Sequence, residues 1–163
     1  MRRRFMLGLG SLGVSAALVF ALGAGAAGAK PSAKSGAKGT KFSCTETSYN
    51  QSYPNTSGFA FGLLTCSKPF GDGVQYSTFS ESVTATQLTA SGTFKNFFDN
   101  GTVDGTYGLS GALSSGPITA SGPLKITGGT GAYKHAKGSG KLTCTTNNGG
   151  KTYTCTVTGA GTA

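Results

Sequence analysis

A single histidine, five acidic residues and no tryptophan in 163 residues leave little for catalysis to use. One histidine excludes multi-histidine metal centres. His135 lies in a glycine-rich stretch with no nucleophile motif elsewhere, so no Ser-His-Asp triad is expected and a surface position is its ordinary reading. The acids Glu46, Asp72, Glu81, Asp99 and Asp104 form no evident pair. Glu81 alternates with Phe79 and Val83 and so can point inward as a buried carboxylate, although an acid so placed more often stays wet at a strand bend. Nucleotide signatures fail as well. Gly150-Lys151-Thr152 mimics the end of a phosphate-binding loop, but Thr145 stands where that motif needs glycine. After Gly129 and Gly131, the third glycine of a dinucleotide fingerprint falls on Lys134. Hydrolase or metal-dependent activity, a cofactor and a metal site are therefore not expected, and no catalytic residue is assigned.

What is present begins with an export pattern. Arg2, Arg3 and Arg4 precede an uncharged stretch, Phe5 to Ala29, that ends in Ala27-Gly28-Ala29, a small-residue cleavage site. Residues 1–29 read as a signal peptide and residues 30–41, KPSAKSGAKGTK, as a linker with no large apolar side chain. The charge follows this division. Without the three arginines the net charge falls from +9 to +6, and without Lys30, Lys34, Lys38 and Lys41 it falls to +2 for residues 42–163. The linker can make a loose electrostatic contact with an anionic cell envelope. The domain itself has no basic face with interleaved aromatics, so nucleic acid is not an expected partner. Asn50-Gln51-Ser52, Asn55-Thr56-Ser57 and Asn100-Gly101-Thr102 match the glycosylation pattern, but a Ser/Thr-rich chain produces such triplets by chance and the leader has a bacterial character.

Residues 42–163 form one domain without an apolar 3.6-residue period. A period of two replaces it. Val103, Gly105, Tyr107, Leu109, Gly111 and Leu113 share one face, and Ile118, Ala120, Gly122, Leu124 and Ile126 share another. Pro123 lacks an N–H and predicts a bulge or an edge position. Further strands are expected near 42–47, 59–66, 74–80, 83–89, 92–98, 139–146 and 151–158, about nine candidates in all, with 49–57 as a loop. The inward glycines 105, 111, 122, 138 and 140 suit a strongly curved sheet. The expected fold is all-β, an antiparallel barrel of about eight strands, with a β-sandwich as the alternative.

The glycine-rich segment Ile126 to Leu142 separates two of these runs. It predicts a sharp turn through Gly128, Gly129 and Gly131 and a new strand near Gly138. Its pattern, Gly128-Gly129-Thr130-Gly131, then Tyr133, Ala136, Gly138 and Gly140, resembles the turn of the allene oxide cyclase and dirigent-type barrels and of secreted bacterial proteins with that barrel. The resemblance implies an eight-stranded barrel. In allene oxide cyclases a carboxylate and a bound water guide ring closure in an apolar cavity; in dirigent proteins barrel-lining acids and cations steer phenolic intermediates. Neither residue set maps onto this chain, and only the structural positions of the turn carry across. Three functions stay open: a secreted barrel that binds a small apolar ligand or serves at the cell surface, a cyclase- or dirigent-like steering protein, and a structural envelope component.

Cys44, Cys66, Cys144 and Cys155 are even in number and follow an export signal, so two disulfides are expected. Their spacing, 21 residues between the first two and 10 between the last two, does not fit close zinc-binding pairs. Folding Leu142 to Val157 as a hairpin with Gly149-Gly150 as a type I′ loop places Cys144 opposite Cys155, with Leu142 opposite Val157 on the same apolar face. Cys44 and Cys66 remain for each other. Closing the shorter loop contributes about 3 kcal/mol by the chain-entropy estimate. Non-reducing peptide mapping of the exported protein is expected to return the 44–66 and 144–155 linked peptides; a 44–144 or 44–155 peptide, or free thiols, contradicts this connectivity.

Overall fold

Alternating apolar and polar side chains suit a sheet with one dry face, and closing that sheet on itself removes its edges. The computed structural model describes residues 39–51, 56–113 and 115–163. The leader, most of the linker and residues 52–55 lie outside them. Eight strands, β1 (Thr40–Gln51), β2 (Ser57–Cys66), β3 (Asp72–Val83), β4 (Gln87–Phe98), β5 (Gly101–Ala112), β6 (Ile118–Gly129), β7 (Lys137–Thr146) and β8 (Thr152–Thr162), follow one another in a closed barrel. Each pairs antiparallel with the next, and β8 returns to β1 from Thr40↔Gly161 to Tyr49↔Thr152. The barrel excludes the sandwich.

The two disulfides cross neighbouring strands, Cys44–Cys66 between β1 and β2 and Cys144–Cys155 between β7 and β8. The β7–β8 ladder has the register expected from its turn, with Leu142↔Val157 beside Cys144↔Cys155, and Gly149 and Gly150 take φ of 67° and 87°. Covalent staples thus hold the strands on either side of the β8–β1 seam, while the seam itself is closed by hydrogen bonds and packing.

Four expectations change. The candidate at 83–89 is not a separate strand: Thr84 accepts hydrogen bonds from Thr86 and Gln87 in a tight turn, and β4 starts at Gln87. This leaves eight strands instead of nine. The loop expected from Tyr49 to Ser57 is shorter, because β1 continues to Gln51 and β2 starts at Ser57. Pro123 lies in an inner strand, paired with Lys141 on one side; on its β5 side it falls in a gap between Tyr107↔Leu124 and Ser110↔Ser121, where its missing N–H costs no ladder bond. The bulge sits at Thr127 instead, where the register shifts between Asp104↔Gly128 and Gly105↔Ile126.

The last difference concerns the glycine turn. Gly128 and Gly129 still belong to β6, and only Gly131 of the three has a positive φ, 59°. Thr130 latches this corner to the β4–β5 connection: its hydroxyl accepts from the Thr102 N–H at 3.1 Å, and the Ala132 N–H donates to the Asn100 carbonyl at 2.8 Å. The short 3₁₀ turn Gly131–Tyr133 then points Tyr133 into the end of the barrel. There Tyr133 packs on Phe70 and Phe98, Phe70 packs on Phe42, and the Tyr133 hydroxyl donates to the Pro69 carbonyl at 3.3 Å. The aromatic group closes that end. Gly138 and Gly140 lie on the inner face of β7, against Gly161 and Gly159 of β8.

A Cβ at Gly131 meets the Asn100 carbonyl and faces a disfavoured φ, whereas one at Gly128 meets nothing. Gly131→Val is therefore expected to destabilise the domain by about 1 kcal/mol or more, and Gly128→Ala to change it far less. Thermal melts of the two variants check the contrast.

Candidate functional site

Position 46 follows from simple alternation. Phe42, Cys44, Glu46 and Ser48 share the inward face of β1, and all four are buried. Glu46 is 5% exposed. On β2 Leu64 stands opposite Glu46, and the next inward position, Gly62, lies between Ser48 on β1 and Gln75 on β3; it sends no side chain into the barrel, and a Cβ there meets the backbone of Ser48. This leaves room for Gln75 to reach Glu46 from β3. With its amide nitrogen turned toward the acid, Gln75 donates to both carboxylate oxygens.

Two cavities meet at this pair. The larger, about 60 Å³ and partly open, lies toward the end of the barrel away from the aromatic plug; its walls include Ala60, Phe79, Leu88, Ala90, Leu109, Ala120 and Tyr153. The smaller, about 30 Å³, lies toward the plug between Phe42, Phe94, Val103, Leu124 and Ile126. Glu46, Gln75, Tyr107 and Leu142 line both. Asn96 lines the smaller cavity with its Oδ1 buried and without a hydrogen-bond partner. The walls are mainly hydrocarbon, and no lysine, arginine or histidine stands among them.

An acid in such a place loses water without gaining a cation. Burial pushes the Glu46 carboxyl up to about 7, against a hydrogen bond from Ser48 that favours the charged form. Tyr107 is pushed up as well, first by burial and then by the Glu46 charge, against a hydrogen bond with Ser77. Nearer the mouth, burial raises the Glu81 carboxyl, and Tyr153 is raised by burial and by the Glu81 charge. A carboxyl that titrates near neutrality holds both forms at once, so it can accept or donate a proton.

The sequence-predicted residues divide sharply. Glu81 points inward and lines the larger cavity, where it is only partly buried. Cys144 and Cys155 line the same cavity. The glycine turn and Tyr133 belong to the closed end, and His135 is exposed outside. Glu46 and Gln75 were missed, although the signal was present: Glu46 is two residues from a disulfide cysteine and therefore shares its face. Among the described residues no group of three or more His, Cys, Asp or Glu side chains is placed to hold a metal ion.

No protein-family model matches the sequence, and no curated protein matches it at a significant level. Among solved structures, pyocyanin demethylase is similar at 16% identity and a TM-score of 0.42, over 72% of this chain and 99% of that one. That likeness carries no argument about the site. The chain is a disulfide-bearing, eight-stranded antiparallel barrel with an acid buried in its interior.

The folded state binds the Glu46 proton more tightly than the unfolded chain, whose ordinary value is 4.5. Stability is then full below pH 4.5, falls as pH rises toward 7, and is lower by about 3 kcal/mol above it. Glu81 acts in the same direction. Denaturant melts at pH 5 and pH 8 are expected to show the protein more stable at pH 5, with most of the difference removed in Glu46→Gln.

Proposed function

We propose that the barrel receives a small, mainly apolar ligand at its open end and holds it against Glu46. The observation that carries this reading is an acid 5% exposed, lining a partly open and mainly hydrocarbon cavity without a cationic partner. A purely structural barrel would fill this space with side chains and would not bear the desolvation of a carboxyl that has hydrogen-bond donors but no cation beside it. A ligand with a hydrogen-bond donor or a positive charge relieves that desolvation, and the apolar walls supply contact area. The cavity is smaller than the roughly 150 Å³ that accepts benzene in an engineered apolar cavity. A ring-sized ligand therefore enters with movement of side chains near the mouth, where Leu88 and Tyr153 stand.

A second reading, an allene oxide cyclase-like or dirigent-like steering protein, is favoured by the Glu46 value near 7. It suits a group that moves a proton on a bound intermediate, and the glycine-turn resemblance points the same way. We favour binding because, among the described residues, no lysine, arginine or histidine lines the cavity to act with Glu46. The export pattern and the two disulfides support an extracellular or envelope location.

Phenol and benzene are suitable probes, because they differ by one donor. Phenol is expected to give saturable NMR shifts at Ala60, Ala90, Leu109 and Ala120 and to bind about tenfold tighter than benzene. Glu46→Leu should abolish that preference, and Ala90→Phe should block both. Absence of saturable shifts, or shifts confined to the outer face, contradicts the proposal.

A further inference from the structure

The outside of the barrel is two-sided. Around β6, β7, β8 and β1 it carries rows of hydroxyls: Thr119, Thr145, Thr154 and Thr47 follow one another across the strands, as do Ser121, Thr143, Thr156 and Thr45. Across β1 to β4 the outward positions change character. Tyr49, Phe59, Phe61, Leu63, Val74, Tyr76 and Phe97 are each 40% to 68% exposed, and these are the exposed large hydrophobics among the described residues. The ladders join them into one patch, through Tyr49↔Phe61, Phe61↔Tyr76, Leu63↔Val74 and Val74↔Phe97.

From this we infer that the outer face of β1–β4 is where a second copy of this chain docks. The area is the first argument. Aromatic side chains contribute ~150–250 Å² each when covered, so these exposed fractions amount to roughly 700 Å² of apolar surface. A stable interface needs about 800 Å² per partner, and the largest patch on a typical monomer is about 300–600 Å². Charge is the second argument. No charged side chain interrupts the patch, so two identical faces meet without repulsion. At its edge Lys95 is matched by Asp104 at 3.7 Å, so the border has no excess of cations to draw an anionic membrane. Ring geometry is the third. Tyr49 stacks on Phe61 at 5.7 Å and 25°, and Phe59 on Tyr76 at 6.3 Å and 28°. These inner ring faces cover each other, which sets the rings side by side in a ridged surface. The apolar edges and outer faces that remain are suited to interdigitating with a like surface.

Native mass spectrometry of the exported protein tests this and reports at once whether the leader is retained. A dimer or higher oligomer is expected at micromolar concentration. Phe61→Ser with Leu63→Ser should weaken association roughly a hundredfold, since two central contacts are lost. Both side chains point out of the barrel, so the intact disulfides and the β-sheet circular dichroism should persist. Should that variant fail to fold, hydroxyl-radical footprinting of the wild-type protein decides instead: oxidation of Phe59, Phe61, Leu63 and Tyr76 should fall as concentration rises. A wild-type monomer at 100-fold higher concentration, footprints that do not change, or an oligomer unaffected in the folded variant would overturn the inference. So would monomeric protein that cosediments with phosphatidylglycerol vesicles or with chitin through these residues, which would give the face to a membrane or a glycan.

Discussion

Closing a sheet of eight strands sends every second side chain into a space of limited size, and the rest of the molecule answers to that constraint. Large residues are affordable inside only where small ones face them. Gly105 lies directly against the Phe94 ring, and Gly62 leaves the gap across which Gln75 meets Glu46. The closed end spends its volume on Phe42, Phe70, Phe98 and Tyr133, while the other end mixes Phe79, Tyr107 and Tyr153 with small residues such as Ala60, Ala90, Ala120, Ser48 and Ser77. One end is therefore packed and the other partly hollow. Strand alternation allows no third option for Glu46: a one-residue slip of β1 would expose Cys44 together with the acid and separate both from their partners.

The same geometry explains why the interior chemistry is sparse and still directed. Glu46, Gln75 and Tyr107 come from β1, β3 and β5, and they lie at the boundary of the two cavities. Each arrives on a rigid strand, so the group is held in place by ladder hydrogen bonds instead of by a loop. Desolvation raises the carboxyl, and the hydrogen bond from Ser48 opposes it. The result is an acid near its midpoint in neutral solution.

Much of the fold was legible because period-two alternation is local. The two longest runs, 103–113 and 118–126, read directly as strands with the correct inward faces, and the Cys144–Cys155 register followed from a two-glycine turn. Positions set by neighbours several strands away were harder. Pro123 looked like a bulge or an edge residue because sequence does not show which ladder positions of an inner strand go unpaired. Gly128 and Gly129 looked like turn residues, yet both end β6, and of the two only Gly129 lies close against a neighbouring backbone, that of Thr102; the latch of Thr130 onto Thr102, 28 residues away, puts the turn one step later. Glu46 was overlooked because acids were sought in pairs, while its meaning lies in the company of Cys44 and in a glycine on the next strand. The exposed aromatics had no signal in the sequence: a strand was expected near 59–66 without an assigned face, and β2 turns Ala60, Gly62 and Leu64 inward, which leaves Phe59, Phe61 and Leu63 outside.

The central claim is that the barrel keeps an acid near its titration midpoint in a cavity open to a small ligand. The most direct measurement is the pH titration of the Glu46 side-chain carboxyl carbon by NMR in the folded protein. A midpoint near 7, shifted by phenol, agrees with the account. A midpoint near 4.5, unmoved by phenol, would mean that the acid is hydrated and that the interior is not the site described.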